Sequence, residues 1–207
     1  MGYTHYFKFK GNTITPTQFA NIVKDVKEIE KFFKHTPVKS QNAGGGYNEH
    51  LVTLHDGWGK RKGIHYIIEE IAGKQKVVEF MLNGTDKGDL GHETFNLKLG
   101  KQEELSGFCK TARKPYDLAV TMILISAKYF APDTEIGSDG NIEDWEHGIE
   151  LWKQIFSNRY IEVGGLTKEQ RDLTIIELDR PVKKMKGKKG FNHDDKRVEE
   201  EYKEMYE

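Results

Sequence analysis

Phe108-Cys109-Lys110-Thr111-Ala112-Arg113-Lys114-Pro115-Tyr116-Asp117, followed without a break by the apolar run Leu118 to Ala127, is the stretch around which this chain is organised. The run is apolar nearly all round, so the helix it predicts, Pro115 to about Phe130, belongs inside a core and against a sheet. Pro115 suits the first helical position, because its missing N–H is one that a helix start leaves unpaired anyway. Lys114, biased away from helical dihedrals by the following proline, closes a loop. Lys110, Arg113 and Lys114 then sit at the positive end of a helix dipole, where cations are mildly unfavourable, and Asp117 in the first turn offsets part of that. A local rule broken in this way marks a candidate site, and a bound anion would satisfy it.

Working outward, Tyr3 to Phe9 alternates with period two and predicts a strand, with Tyr3, His5, Phe7 and Phe9 on the inner face. Thr15-Pro16-Thr17-Gln18 opens a helix over Thr17 to Lys34. Phe19, Ile22, Val23, Val26, Ile29, Phe32 and Phe33 form its core stripe, and the charged residues from Lys24 and Asp25 to Lys31 its outer face. Asn48–Asp56 and Gly63–Ile71 read as short strands around a hairpin tip at 56–63, and Lys76–Leu82 as a third leading into the Asn83-Gly84 turn. Thr94–Leu99 alternates cleanly and predicts a strand antiparallel to it. Thr134–Gly140 reads as a strand running into a turn, Ile142–Phe156 as a helix, and Tyr160–Val163 and Leu173–Leu178 as short extended pieces. Thr167-Lys168-Glu169-Gln170 resembles a capping box. Ser40–Asn48, with Gly44-Gly45-Gly46, reads as a surface loop, since it lacks the lysine and hydroxyl of a phosphate-binding loop.

These pieces predict an α+β fold, a mostly antiparallel sheet of about five or six strands packed against two to three helices. Residues 1–180 form one domain in this reading, and 181–207 a charged extension, basic through Lys189 and acidic from Val198. Such an extension suits docking to a second copy or a protein partner. A net charge of −1 over 207 residues gives no bulk attraction to nucleic acid or to an anionic membrane. Mean hydropathy is −0.71. With one cysteine, Cys109, neither an internal disulfide nor a cysteine-based zinc site can form. The start of the chain has no signal-peptide pattern, and no apolar run is long enough to span a bilayer. A soluble, cytoplasmic protein is expected, with no membrane and no favoured nucleic-acid partner.

Four groups could carry chemistry. In the first, Arg113 grips a phosphate or carboxylate with paired bonds, Lys110 and Lys114 add point charges, and Tyr116 stacks or hydrogen-bonds. The bland alternative is an Arg113–Asp117 ion pair with Tyr116 in the core. In the second, His92 and Glu93 act as a proton-transfer pair, or Glu93 turns inward and orients Arg113. In the third, His5 faces inward as an acid/base or as a hydrogen-bonded core residue. The fourth is Ser138-Asp139-Gly140 with Asp144-Trp145, a ligand turn or a simple cap. The eight histidines show no metal-binding spacing, so no metal site is assigned and no cofactor is named. Basic neighbours would lower the pKa of Cys109, although with no partner base a buried structural thiol is the better reading.

The N-terminal Met-Gly-Tyr-Thr-His-Tyr, the Leu82-Asn83-Gly84 turn with His92-Glu93-Thr94-Phe95, and Phe108–Asp117 together resemble an uncharacterised family of phage and bacterial proteins. Ser138-Asp139-Gly140 and Asp144-Trp145 extend the likeness, which spans residues 1–152 and leaves out the tail. Leu82 stands where the family pattern has a phenylalanine. The resemblance implies a phage or mobile-element setting and the assembly of these segments into one site, but no catalytic role. The function expected is binding of a small anionic, nucleotide-like ligand, sequestering a signal in phage–host conflict. The alternatives are an enzyme acting on such a ligand through His92, Glu93 or His5, and a virion or assembly component that uses its charged tail.

Overall fold

The computed structural model describes residues 2–40, 49–101 and 107–159, with two short strands at 162–163 and 178–179. The triple glycine, the capping-box-like Thr167–Gln170 and the charged extension from Pro181 lie outside the described residues, as do residues 173–177 of the last extended piece. The architecture is α+β. Among the described residues, three helices pack with two three-stranded antiparallel sheets, so the expected strands are divided between two sheets.

The first sheet has the order β7-β1-β8, from β1 (Thr4–Lys8), β7 (Gly107–Lys110) and β8 (Glu135–Ser138). Its central strand buries His5 and Phe7 and turns Tyr6 and Lys8 outward, as period-two alternation requires. The second has the order β3-β4-β5, from β3 (His65–Ile71), β4 (Lys74–Leu82) and β5 (Phe95–Lys98). Two short pairs, β2 (Thr13–Ile14) with β6 (Gly100–Lys101) and β9 (Glu162–Val163) with β10 (Leu178–Asp179), are the remaining strands among the described residues.

Residues 49–56 do not form the short strand expected there, and residue 48 lies outside the described residues. Leu51 bridges to Lys39, while His55 bridges to Lys62 and to Asn83. With each pairing drawn from a different segment, no continuous ladder can grow.

Helix α1 (Pro16–His35) starts at a capping box: the Gln18 N–H donates to the Thr15 hydroxyl at 3.3 Å, and the Thr15 N–H to Gln18 Oε1 at 2.9 Å. Its stripe is buried as expected, Phe32 only in part, with one correction. Asp25 does not belong to the outer face and is 1% exposed. It lies three residues after Ile22 and four before Ile29, on the buried side of a 3.6-residue period. It is satisfied there by the Ser126 hydroxyl at 2.8 Å and Arg159 Nη2 at 2.8 Å. The Arg159 guanidinium in turn lies over the Phe156 ring, 4.3 Å from its centre.

Helix α2 (Asp117–Phe130) is buried from Asp117 through Lys128 and packs against α1 and α3 (Glu143–Ile155). Pro115 is not its first residue. A turn closed by the Asp117 N–H on the Lys114 carbonyl, at 2.9 Å, precedes it and holds Pro115 and Tyr116. Phe7 meets Phe95 with ring centres 5.5 Å apart, and Phe80 meets both Phe95 and Phe19. That aromatic chain ties the two sheets and α1 into one core. Among the described residues, no helix is long and apolar enough to cross a membrane.

Candidate functional site

The site is built where β7 ends, between β1, the loop 83–94 and the start of α3. Leaving β7, the chain reverses over Thr111 to Lys114, closed by the Lys114 N–H on the Thr111 carbonyl at 3.1 Å. Both central residues, Ala112 (φ 52°) and Arg113 (φ 55°), have left-handed backbones without being glycine. Each costs about 1–2 kcal/mol relative to right-handed dihedrals. Strain of this kind persists only where the surroundings over-determine it. Here the Ala112 N–H is fixed to the Tyr3 carbonyl at 3.0 Å.

The reversal carries Arg113 away from Glu93 and towards α3. Its Nη1 donates to Asp144 Oδ1, and its guanidinium lies over the Tyr3 ring, 4.0 Å from the centre. Asp144, not Glu93, therefore orients Arg113. The Asp144 carboxyl would be raised by burial, yet the Arg113 hydrogen bond and the Asn141 N–H together hold it below the usual carboxylate range. Asp144 can approach because residue 140 is glycine. A Cβ there would lie 2.0 Å from Asp144 Oδ2 and 2.8 Å from the Tyr3 ring. Among the described residues, Nη1 is the one guanidinium nitrogen with a hydrogen bond, and the Arg113 side chain is 32% exposed. Four of its five N–H donors therefore remain for a visitor.

The other two cations differ. Lys114 is turned inward, its ammonium donating to the Asp89 carboxylate at 2.7 Å and the Asp89 carbonyl at 2.6 Å. Its charge serves the fold. The Lys110 side chain runs beside Gly2 and meets no carboxylate among the described residues.

His92 and Glu93 do not form a couple with each other. They grip one peptide from two sides: His92 Nδ1 lies 2.7 Å from the Lys110 carbonyl, and the Lys110 N–H donates to Glu93 Oε2 at 2.7 Å. A carbonyl only accepts, so Nδ1 carries a proton, and the other ring nitrogen of this exposed residue, Nε2, makes no hydrogen bond among the described residues. Asn83 positions the loop, donating to the His92 carbonyl at 2.9 Å and accepting its N–H at 3.0 Å.

Tyr116 is fully buried and donates to the Glu93 carbonyl at 2.6 Å, so it offers a ligand no stacking face. Asp117 pairs with His5, 2.7 Å from its Nε2, and also accepts the Thr111 hydroxyl, which replaces both the expected ligand contact and the Arg113–Asp117 pair. His5 is itself 0% exposed and cannot meet a substrate. Ser138 Oγ accepts from Tyr3 and from Trp145 Nε1, both at 2.9 Å, and Asp139 accepts from Tyr6, so this turn is a structural hub. Cys109 is buried, and burial pushes its thiol up, followed by the nearby Asp117 and Glu93 carboxylates; the basic neighbours do not lower it. Among the described residues, no cluster of His, Cys, Asp or Glu could hold a metal ion.

The structure thus sets His92 and Glu93 against the Lys110 peptide, sets Arg113 separately against Asp144 and Tyr3, and withdraws Lys114, Tyr116, Asp117 and His5 into the protein. Sequence reasoning missed Tyr3 and Asp89 as partners and read Asp144 as part of a separate turn. Tyr3 and Asp144 lie far from Arg113 along the chain, and nothing local announces either contact. No family model, curated protein or solved structure matches the chain.

Proposed function

We propose that this protein binds a small anionic, nucleotide-like ligand at the Arg113 guanidinium. The observation that carries this reading is the Arg113 guanidinium, oriented by Asp144 and Tyr3 from a strained turn, with most of its donors uncommitted. A guanidinium fixed in this way presents a planar fork to phosphate or carboxylate without first losing side-chain entropy. Lys110, three residues earlier in the chain, meets no carboxylate among the described residues. In the phage setting that the sequence resemblance implies, such a protein would sequester a nucleotide-derived signal.

The test is mass spectrometry of small molecules released by denaturing the purified full-length protein and its Arg113→Ala variant. The proposal expects a phosphorylated nucleoside compound from the first and none from an equally folded sample of the second. Recovery of the same anions from both, or of none from either, overturns it.

A second reading, an enzyme acting on the same ligand, is favoured by one feature, the exposed His92 with its Nδ1 held on the Lys110 carbonyl. With Glu93 committed to the Lys110 N–H, His92 would act alone as acid and base. Conversion of the released compound by fresh protein, lost in His92→Ala, separates an enzyme from a binder that returns its ligand unchanged.

A further inference from the structure

A cavity of about 360 Å³ opens on another part of the molecule, between the last turns of α1 and the turn at 56–63. Its floor is Phe33 and Leu54, both buried members of the core, and its rim carries Lys34, Lys62 and Thr53. The volume lies in the range of small-molecule pockets, which combine apolar walls with a few polar groups. Among the described residues, the one acid lining it, Glu30, is already engaged. Its Oε1 accepts the Ile64 N–H at 2.7 Å and its Oε2 the Tyr66 hydroxyl at 2.9 Å. Those two bonds fix the wall of the cavity and occupy both carboxylate oxygens.

Neither Lys34 nor Lys62 meets a carboxylate among the described residues. Lys34, in the last turn of α1, favours the negative end of that helix dipole, which accounts for its place but not for Lys62. Lys62 ends the run Lys60-Arg61-Lys62. The acid in this turn, Asp56, spends its carboxylate on the loop: the Lys60 N–H donates to it at 2.9 Å. The turn is thereby held in shape while its cations stay exposed, so Lys34 and Lys62 face the Glu30 carboxylate across the lining of the cavity as two cations to one acid.

We infer that this cavity is a second binding site, for an organic anion whose apolar body rests on Phe33 and Leu54 while its phosphate or carboxylate lies between Lys34 and Lys62. The site is independent of the one at Arg113. Two sources share this chemistry, a nucleoside monophosphate and an aliphatic carboxylate.

The experiment titrates the ¹⁵N-labelled full-length protein with AMP and, separately, with octanoate, following the amides of Lys34, Leu54 and Gly63. At least one probe should shift these amides saturably below about 1 mM, and Lys34→Glu/Lys62→Glu should weaken that binding at least about tenfold with thermal melting unchanged. Saturation by AMP alone assigns a nucleotide, and by octanoate alone a fatty acid. No saturation by either probe overturns the site. So does equal binding by the charge-reversed variant, and so do the same saturable shifts with inorganic phosphate, which would mark an adventitious ion only.

Discussion

His5 Nε2 lies 2.7 Å from Asp117 Oδ1, joining the centre of one sheet to the first turn of the buried helix across 112 residues of chain. The carboxylate only accepts, so Nε2 carries a ring proton and the second ring nitrogen is Nδ1. That Nδ1 is buried and has no hydrogen-bond partner among the described residues. The Tyr3 and Trp145 rings meet His5 edge-on, 5.1 and 5.2 Å away between centres. The imidazole is therefore a strut, held at one nitrogen and enclosed by aromatics.

Removing the strut leaves the Asp117 carboxylate buried with the Thr111 hydroxyl as its remaining side-chain partner, and opens a cavity beside Trp145. His5→Ala should lower unfolding free energy by about 2–4 kcal/mol in urea titration, the range for breaking a buried polar pair. A loss within experimental error would mean that the contact contributes nothing.

The turn that presents Arg113 carries strain that a glycine would relieve. Ala112→Gly should raise stability by about 0.5 kcal/mol, the left-handed penalty removed less the extra freedom given to the unfolded chain. Gly140→Ala should do the reverse, lowering stability by about 2 kcal/mol because the new methyl collides with Asp144 and Tyr3. Thermal melting of the two variants gives opposite signs if the turn and its clamp are as described.

Acid should weaken the clamp in a particular direction. The Asp144 carboxyl is held below its ordinary value in the folded chain, so the unfolded chain binds the proton more readily and stability rises with pH. The contribution is complete above about pH 4 and is lost as pH falls through the depressed folded value. Urea titrations of wild type and Asp144→Asn across this range should show a stability gap that closes on acidification. A gap independent of pH would place the effect of the substitution elsewhere.

Cys109 should be chemically silent. Burial and the adjacent carboxylates both oppose the thiolate, which is the reactive form. A thiol-reactive aromatic disulfide added to the native protein should report almost no reaction, and one thiol per chain once denaturant is present. Rapid native reaction would show that this end of β7 opens.

The chain by itself determined its elements wherever one local pattern dominated. Period-two alternation in Tyr3–Phe9 fixed which side of β1 is buried, and the Thr15–Gln18 box fixed the start of α1. The apolar run after Asp117 could only be an interior helix. All three rest on interactions between residues a few positions apart, so the sequence carries them directly. Which acid meets which cation was decided by tertiary structure alone. Arg113 had Asp117 four residues away and Glu93 as an expected inward-facing acid, yet it pairs with Asp144, because a left-handed turn reverses its direction. The same packing turned Asp25 from a surface acid into a core ligand of Arg159. Charge pairing depends on direction and on burial, and both are set by chain segments brought together from afar.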